Sequence, residues 1–483
     1  MTSTPRAAPA SRLRRRARRR LDATRAAADA RWGRPREVHR PVYLIAPAGH
    51  PNHGDEQLLA GWLRYLRHRL PGTPVVVDCH TPGQAAVLHH GEHPDVLFTD
   101  TLWRLAGEHT GAVEAIGFCR SAVGDLGVRP ALASGIDLLR SASVVHLIGG
   151  GYVNDLWPHH LGVVAAAGEA GRLSGAHVVA TGQGFVPCEH PGLLAEALRD
   201  HHLVTVRDAA SSGLLEGTGV PVRHVADDGW LALSCAGGVE AGDHPVYSPD
   251  PDACRDLVVC AQSDLVEPEE LADTVGRVLA AWAVPGERIT VVESIPGGDR
   301  VVWDMLCDRA EAASGAGGDD DEVGRALAAL HLPRARVVPF QQLWSTGLPA
   351  RPGQVWLTSR FHPHLFAAAR GASGVALRTG SAFYDVKHGS LRAAGSPWSS
   401  ASTGEGLPAE TAGAEEPDAA GSTRIPAMPD TAWLAGIPAV PDTAWSAGIP
   451  AMPVAGGFAP ATVAMLVSGA ERLAEEIYPT GSR

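Results

Sequence analysis

Arg360 and His362 stand two residues apart in the run Thr358-Ser359-Arg360-Phe361-His362-Pro363-His364-Leu365-Phe366-Ala367-Ala368-Ala369. A guanidinium offers a planar fork for a carboxylate or a phosphate. An imidazole is the side chain best suited to carry a proton near neutral pH. Gln354-Val355-Trp356-Leu357, just before them, reads as a buried strand. The small-residue run after them reads as a helix that stops at Gly371. Both residues therefore stand where a strand ends and a helix begins, the edge of an open α/β sheet at which ligands bind. The spacing alone leaves another reading open, in which Arg360 caps a surface loop and His362 packs in an interface.

Four more stretches have the same character. They are Gly49-His50-Pro51-Asn52-His53-Gly54-Asp55-Glu56, Ile148-Gly149-Gly150-Gly151-Tyr152-Val153-Asn154-Asp155, Gly182-Gln183-Gly184-Phe185-Val186-Pro187 and Val206-Arg207-Asp208-Ala209-Ala210-Ser211. With Ser359-Arg360-Phe361-His362, their order and spacing resemble the polysaccharide pyruvyl transferase family, from about Val42 to about Lys387. The resemblance implies an α/β protein of two Rossmann-like domains facing a cleft, similar to the glycosyltransferase-B architecture. It implies an enzyme that moves the enolpyruvyl group of phosphoenolpyruvate onto two hydroxyls of a sugar, in a cell-surface polysaccharide or its precursor. A pyruvate ketal forms and phosphate is released. The implied partners are phosphoenolpyruvate, as donor substrate, and a glycan or lipid-linked glycan acceptor, with no cofactor besides.

That reaction needs cationic clamps for a donor with a carboxylate and a phosphate. It needs an acid to protonate C3, and a base for the sugar hydroxyls. By the resemblance, Arg360 grips the donor anion, and His362 protonates C3 or assists phosphate departure. Arg207 matches a second donor-binding arginine; a salt bridge with Asp208 is its alternative. Gln183, between Gly182 and Gly184, would approach the ligand closely, as would the backbone of Gly150 and Gly151, with Asp155 as a polar candidate beside them. Asn52, Gly54, Asp55 and Glu56 match the family's first loop. Asp55 would take a proton from an acceptor hydroxyl, or else cap the helix expected over 56–69. The chain departs from the family in two places. Gly184-Phe185 follows Gln183 where some relatives carry His. Ala226-Asp227-Asp228-Gly229 stands where the family has Ala-Asp-Pro, a change expected to touch a loop rather than the chemistry. No metal is expected, since His50, His53, His362 and His364 lack carboxylate or cysteine partners at ligand spacing.

The 483 residues suffice for two or three domains. The net charge of -12 is unevenly spread. Residues 1–40 hold 13 Arg against Asp22, Asp29 and Glu37, which leaves 28 basic against 50 acidic residues in the remainder. A body so acidic is not built to hold nucleic acid over a broad surface. The tract Arg12 to Arg20 reads as a disordered or loosely helical tail, either solvated or held electrostatically on anionic lipid or on nucleic acid. Seven cysteines without a C-x-x-C argue against a disulfide framework. With neither a secretory h-region nor a spanning apolar run, the expected location is cytoplasmic, peripheral at the inner membrane face if the tail binds lipid.

Strand, loop and helix alternate from Pro41, the pattern of a parallel sheet. The domains read as an Arg-rich tail over 1–40, an N-terminal α/β domain over 41–235, a linker over 236–255 and a C-terminal α/β domain over 256–395. A low-complexity insert follows over 396–457, with a 12-residue repeat beginning at Ile425 and again at Ile437. A helix closes the chain within 458–483, with Val463, Leu466, Ala470, Leu473 and Ile477 on one face. Asp319-Asp320-Asp321-Glu322 could mimic a metal site, but reads as the opening of a helix over 322–330. Two rival functions remain at this stage. One is a nucleotide-sugar glycosyltransferase of the same fold, with Glu293 as its ribose-binding carboxylate. The other is a catalytically silent scaffold in polymer synthesis.

Overall fold

The computed structural model describes residues 40–234, 244–262, 267–314, 321–378, 382–402, 449–454 and 456–479. The readings of the Arg-rich tail and of the repeats lie outside the described residues.

Two parallel sheets organise the chain from Pro41 onward. The first has seven strands in the order β3-β2-β1-β4-β5-β6-β7. They are β1 (Val42–Ile45), β2 (Val75–Asp78), β3 (Val96–Thr99), β4 (Val144–Leu147), β5 (His177–Gln183), β6 (Leu203–Val206) and β7 (Val222–His224). The second has six in the order β10-β9-β8-β11-β12-β13. They are β8 (Leu257–Cys260), β9 (Ile289–Val292), β10 (Arg336–Val338), β11 (Val355–Thr358), β12 (Ser373–Arg378) and β13 (Ser399–Ser402). Strands such as β1, β2, β6 and β9 are buried at every position. Continuous Val, Leu and Ile runs suit them, because helices cover both faces of such a sheet.

In each sheet the strand order reverses once, between β1 and β4 and between β8 and β11. Crevices open beyond the carboxyl ends of strands at these switch points, because the helices on either side diverge there. Gly149–Gly151 follow β4, and Arg360 follows β11. Both motifs thus sit at switch points, and the two crevices meet. The amide of His53, at the start of the helix His53–Arg69, donates to the Ser294 carbonyl beyond β9 at 2.9 Å. Trp344 Nε1 donates to the Leu88 carbonyl of the first domain at 3.1 Å.

Three expectations are corrected. Two edge strands, β7 and β13, were not anticipated. Ser399–Ser402 pairs in register with Val375–Arg378, so the low-complexity insert does not begin at 396. At its other end Ile449 and Met452 pack against the core of the second sheet, and Trp282 Nε1 donates to the Pro450 carbonyl at 2.9 Å. The expected linker is partly structural: Val246 and Ala253 are buried with the second domain, and Tyr247 bridges to Leu348. The closing helix, Pro460–Ile477, returns to the first domain, where Tyr478 lies buried among Trp62 and Tyr65.

Candidate functional site

A pocket of about 130 Å³ lies between the domains. The first domain contributes Asn52, Asp55, Gly151, Tyr152, Trp157 and Arg207, and the second Gln262, Arg360, Phe361, His362 and Lys387.

The first wall is built by the start of the His53–Arg69 helix. Asn52 is its N-cap: its Oδ1 accepts from the Gly54 amide at 3.2 Å, and its Nδ2 donates to Asp55 Oδ2 at 2.8 Å. Asp55 is therefore not the cap. It stands in the first turn with its carboxylate toward the pocket. Burial pushes this carboxyl above its ordinary value, while His362, Lys387 and Arg207 pull it back. Glu56 turns away and locks the loop, accepting from the Gly49 amide at 2.8 Å and pairing with His89 Nε2 at 2.7 Å.

His362 belongs to the helix Phe361–Ala369 of the second domain, but the first domain holds its ring. A Cβ on Gly54 would fall 2.0 Å from His362 Nδ1, so only glycine allows this approach. The ring stacks on Phe366 at 6.1 Å between centroids. Its Nε2 is buried 3.5 Å from Asp227 Oδ1, an ion-pair distance at which no hydrogen bond is formed.

Each arginine is held by a buried carboxylate. Arg360 donates through Nε to Asp299 Oδ2 at 2.9 Å, and its Nη2 also reaches Asp299. Arg207 Nη1 donates to Asp227 Oδ2 at 2.8 Å, and its guanidinium lies 4.5 Å over the Phe361 ring. The expected partner, Asp208, instead caps the short helix Ala209–Leu214 through the Ser211 amide. Such pairs fix both forks before a ligand arrives. Arg207 Nε is buried with no hydrogen-bond partner. A Cβ on Gly151 would lie 3.0 Å from Arg207 Nη2 and 3.2 Å from Lys387 Nζ. Two cations converge on one glycine, an arrangement that favours an anion between them.

Asp227 and Asp228 do more than shape a loop. Asp228 Oδ2 accepts from Trp62 Nε1 at 2.9 Å, Thr181 Oγ1 at 2.6 Å and the Gly149 amide at 2.9 Å. It ties the glycine loop to the domain interior, and burial raises its carboxyl to about 6. Asp227 works against a similar burial cost. His362 and Arg207 outweigh that cost and hold its carboxyl below the ordinary range.

Three expected ligand contacts are corrected. Gln183 is fully buried behind the pocket, donating to the Ile148 carbonyl at 2.9 Å and the Thr181 carbonyl at 3.0 Å. It braces the ends of β4 and β5. Asp155 accepts from the Glu189 amide and fastens two loops to each other, outside the pocket lining. Gly150 also lies outside that lining, bridged to Gln183 through the backbone, with the Tyr152 ring filling the space a Cβ would need. Sequence reasoning missed Lys387, Gln262, Trp157, Asp227 and Asp299. Only Asp227 stood in a motif already matched.

The family model described as polysaccharide pyruvyl transferase matches residues 52–272, and this match supports a transferase. The matched stretch contains Asn52, Asp55, Gly151, Arg207 and Asp227; Arg360, His362 and Lys387 lie beyond it. None of the curated proteins matches the chain. Among solved structures, a glycosyltransferase from Rickettsia africae is similar at 10% identity and TM-score 0.42, covering 92% of this chain and 100% of that one. MnaA of S. aureus with UDP is similar at 12% identity and TM-score 0.40, covering 72% of this chain and 80% of that one. The spinosyn rhamnosyltransferase SpnG is similar at 14% identity and TM-score 0.36, over 89% and 96%.

Proposed function

With the polysaccharide pyruvyl transferase match of residues 52–272 as premise, we propose that the pocket transfers the enolpyruvyl group of phosphoenolpyruvate to sugar hydroxyls, forming a ketal and releasing phosphate. One observation carries this reading. Arg207, Arg360 and Lys387, three cations, share a small pocket with an imidazole and a carboxylate whose proton affinity is raised. A small polyanion whose reaction needs both an acid and a base fits that set.

The cations hold the carboxylate and phosphate. His362 gives a proton to C3, and the electron pair of the C2–C3 double bond takes it. The cation left at C2 is captured by a sugar oxygen, whose proton passes to the base, Asp55 or the now neutral His362. Phosphate leaves from C2, and a second hydroxyl closes the ketal. One hydroxyl proton ends on the methyl carbon and the other on phosphate, so the sum is balanced.

The nucleotide-sugar alternative is less well supported. Glu293, its candidate for binding ribose, is buried and faces Arg300 at 3.4 Å. The pocket is also small beside the roughly 300–1,000 Å³ of sites for drug-sized ligands. The test is to incubate the protein with phosphoenolpyruvate and a panel of glycans, and to measure phosphate release and a pyruvyl mass gain. Phosphoenolpyruvate binding by calorimetry is measured alongside. No binding and no transfer to any glycan would end this reading.

A further inference from the structure

We propose that Asp227 is the positioning residue of His362: it faces the Nε2 side of the ring, so that Nδ1 is the atom that exchanges a proton with the substrate. The inference rests on the pyruvyl-transfer reading for its consequence, but the geometry stands apart from it.

Asp227 is 3% exposed and comes from the loop between β7 and the short helix Gly229–Ala232. Three groups surround its carboxylate. Oδ2 accepts from Arg207 Nη1 at 2.8 Å, Oδ1 accepts from the Gly229 amide at 2.7 Å, and His362 Nε2 lies 3.5 Å from Oδ1. The first two bonds fix the carboxylate, so the third approach is built into the fold. Nε2 has no other partner and is closed to water. It cannot deliver a proton to a ligand in the pocket. Nδ1 lies against Gly54, in the turn that carries the pocket-lining Asp55. A carboxylate beside one ring nitrogen stabilises the tautomer with hydrogen on that nitrogen, and leaves the other as the exchanging atom.

The charges around His362 come from several elements. Asp55 and His53 stand on the His53–Arg69 helix, Arg207 follows β6, and Lys387 lies on the helix Ala382–Ala393. Burial holds His53 neutral, with its titration lowered to about 3. Asp227 stays ionised because His362 and Arg207 overcome the cost of its burial. It also joins the two halves of the proposed chemistry, since the carboxylate facing the acid is the one that orients a donor-binding arginine. In the transfer, the Nδ1 proton goes to C3 and the Nε2 hydrogen stays opposite Asp227. A hydroxyl proton then restores Nδ1.

Histidine-selective 15N labelling tests this in the full chain, with the His362 resonances identified by their loss in His362→Gln. In the wild-type protein with neutral His362, hydrogen on Nε2 and a bare Nδ1 are expected; hydrogen on Nδ1 overturns the proposal, whether or not Asp227→Asn folds. In folded Asp227→Asn the preference for Nε2–H should be lost, and in Asp227→Glu it should return. Equal behaviour of the two variants also overturns the proposal. These readouts need no substrate, so they are separable from failure of the pyruvyl-transfer reading. Where phosphate release is measurable, Asp227→Asn should lower it by roughly 10²-fold.

Discussion

At the scale of single residues, the site is a set of groups oriented from behind. His362 is held by a glycine on one side and a carboxylate on the other. His362→Ala should leave phosphoenolpyruvate binding within a few-fold of wild type and cut turnover by roughly 10²–10⁴, the range for a lost general acid. Calorimetry and phosphate release on one preparation check this, together with a melting curve. Normal turnover from a destabilised protein would make His362 a packing residue. Gly54→Ala tests the approach from the other side. Alanine is the better helix former by about 1 kcal/mol, but its methyl would stand 2.0 Å from Nδ1, which no rotamer of alanine relieves. The imidazole must move, so turnover should fall at least about tenfold while the circular dichroism spectrum is kept. Wild-type turnover in Gly54→Ala would show that the ring position is not critical.

At the scale of elements, the closing helix Pro460–Ile477 binds the end of the chain to the first domain. Two interactions there differ sharply in worth. Tyr478 is buried, its hydroxyl 2.9 Å from His146 Nδ1, with Trp62 packed against its ring. Arg223 and Glu476 form a pair at 2.8 Å with both side chains about half exposed. Removing a buried aromatic ring costs about 3–5 kcal/mol, whereas an exposed ion pair is worth about 0–1 kcal/mol. Urea denaturation should therefore show a large loss of stability for Tyr478→Ala and little for Arg223→Ala. Equal effects would mean that the helix is held by charge rather than by packing.

At the scale of the whole molecule, the histidines set the response to acid. His53, His146, His160, His201, His244, His364 and His388 are buried, and burial lowers the titration of each. Among them His53 and His146 fall to about 3, and His160, His201, His244 and His388 to about 4. Between the ordinary value near 6.5 and these lowered ones, the unfolded chain binds protons that the folded chain refuses. Stability must fall as pH drops through that window. Asp78, raised to about 7 by burial, and Asp228, raised to about 6, act in the opposite sense, because the folded state keeps protons there that the unfolded state has lost. Asp55 and Glu293 are raised as well, and His80, His93, His159 and His177 lowered. Among the described residues eleven histidines thus oppose four carboxyls, so the urea midpoint should be lower at pH 5 than at pH 7. A midpoint unchanged or higher at pH 5 would contradict this balance.

Runs such as Val75-Val76-Val77 and Leu203-Val204-Thr205-Val206 are strands in any parallel sheet that covers both their faces, and the structure places β2 and β6 there. Arg360 and His362 were legible for the same local reason: a buried strand gives way to a helix, and polar residues at that junction face a crevice. The edge strands were not legible. Val222-Arg223-His224 and Ser399-Ser400-Ala401-Ser402 have the composition of loops, and become strands because a neighbouring strand offers its unpaired backbone groups. The partners in the site were hidden more deeply. Asp208 is next to Arg207 in the chain, yet its carboxylate satisfies the Ser211 amide three residues on. Asp227 is twenty residues away, and the crossover from β6 to β7 carries it back to the arginine and on to the histidine of the other domain. Adjacency in sequence sets which backbone groups a side chain can cap. Which carboxylate faces which cation depends on where the crossovers return the chain, and that follows from packing two sheets against their helices.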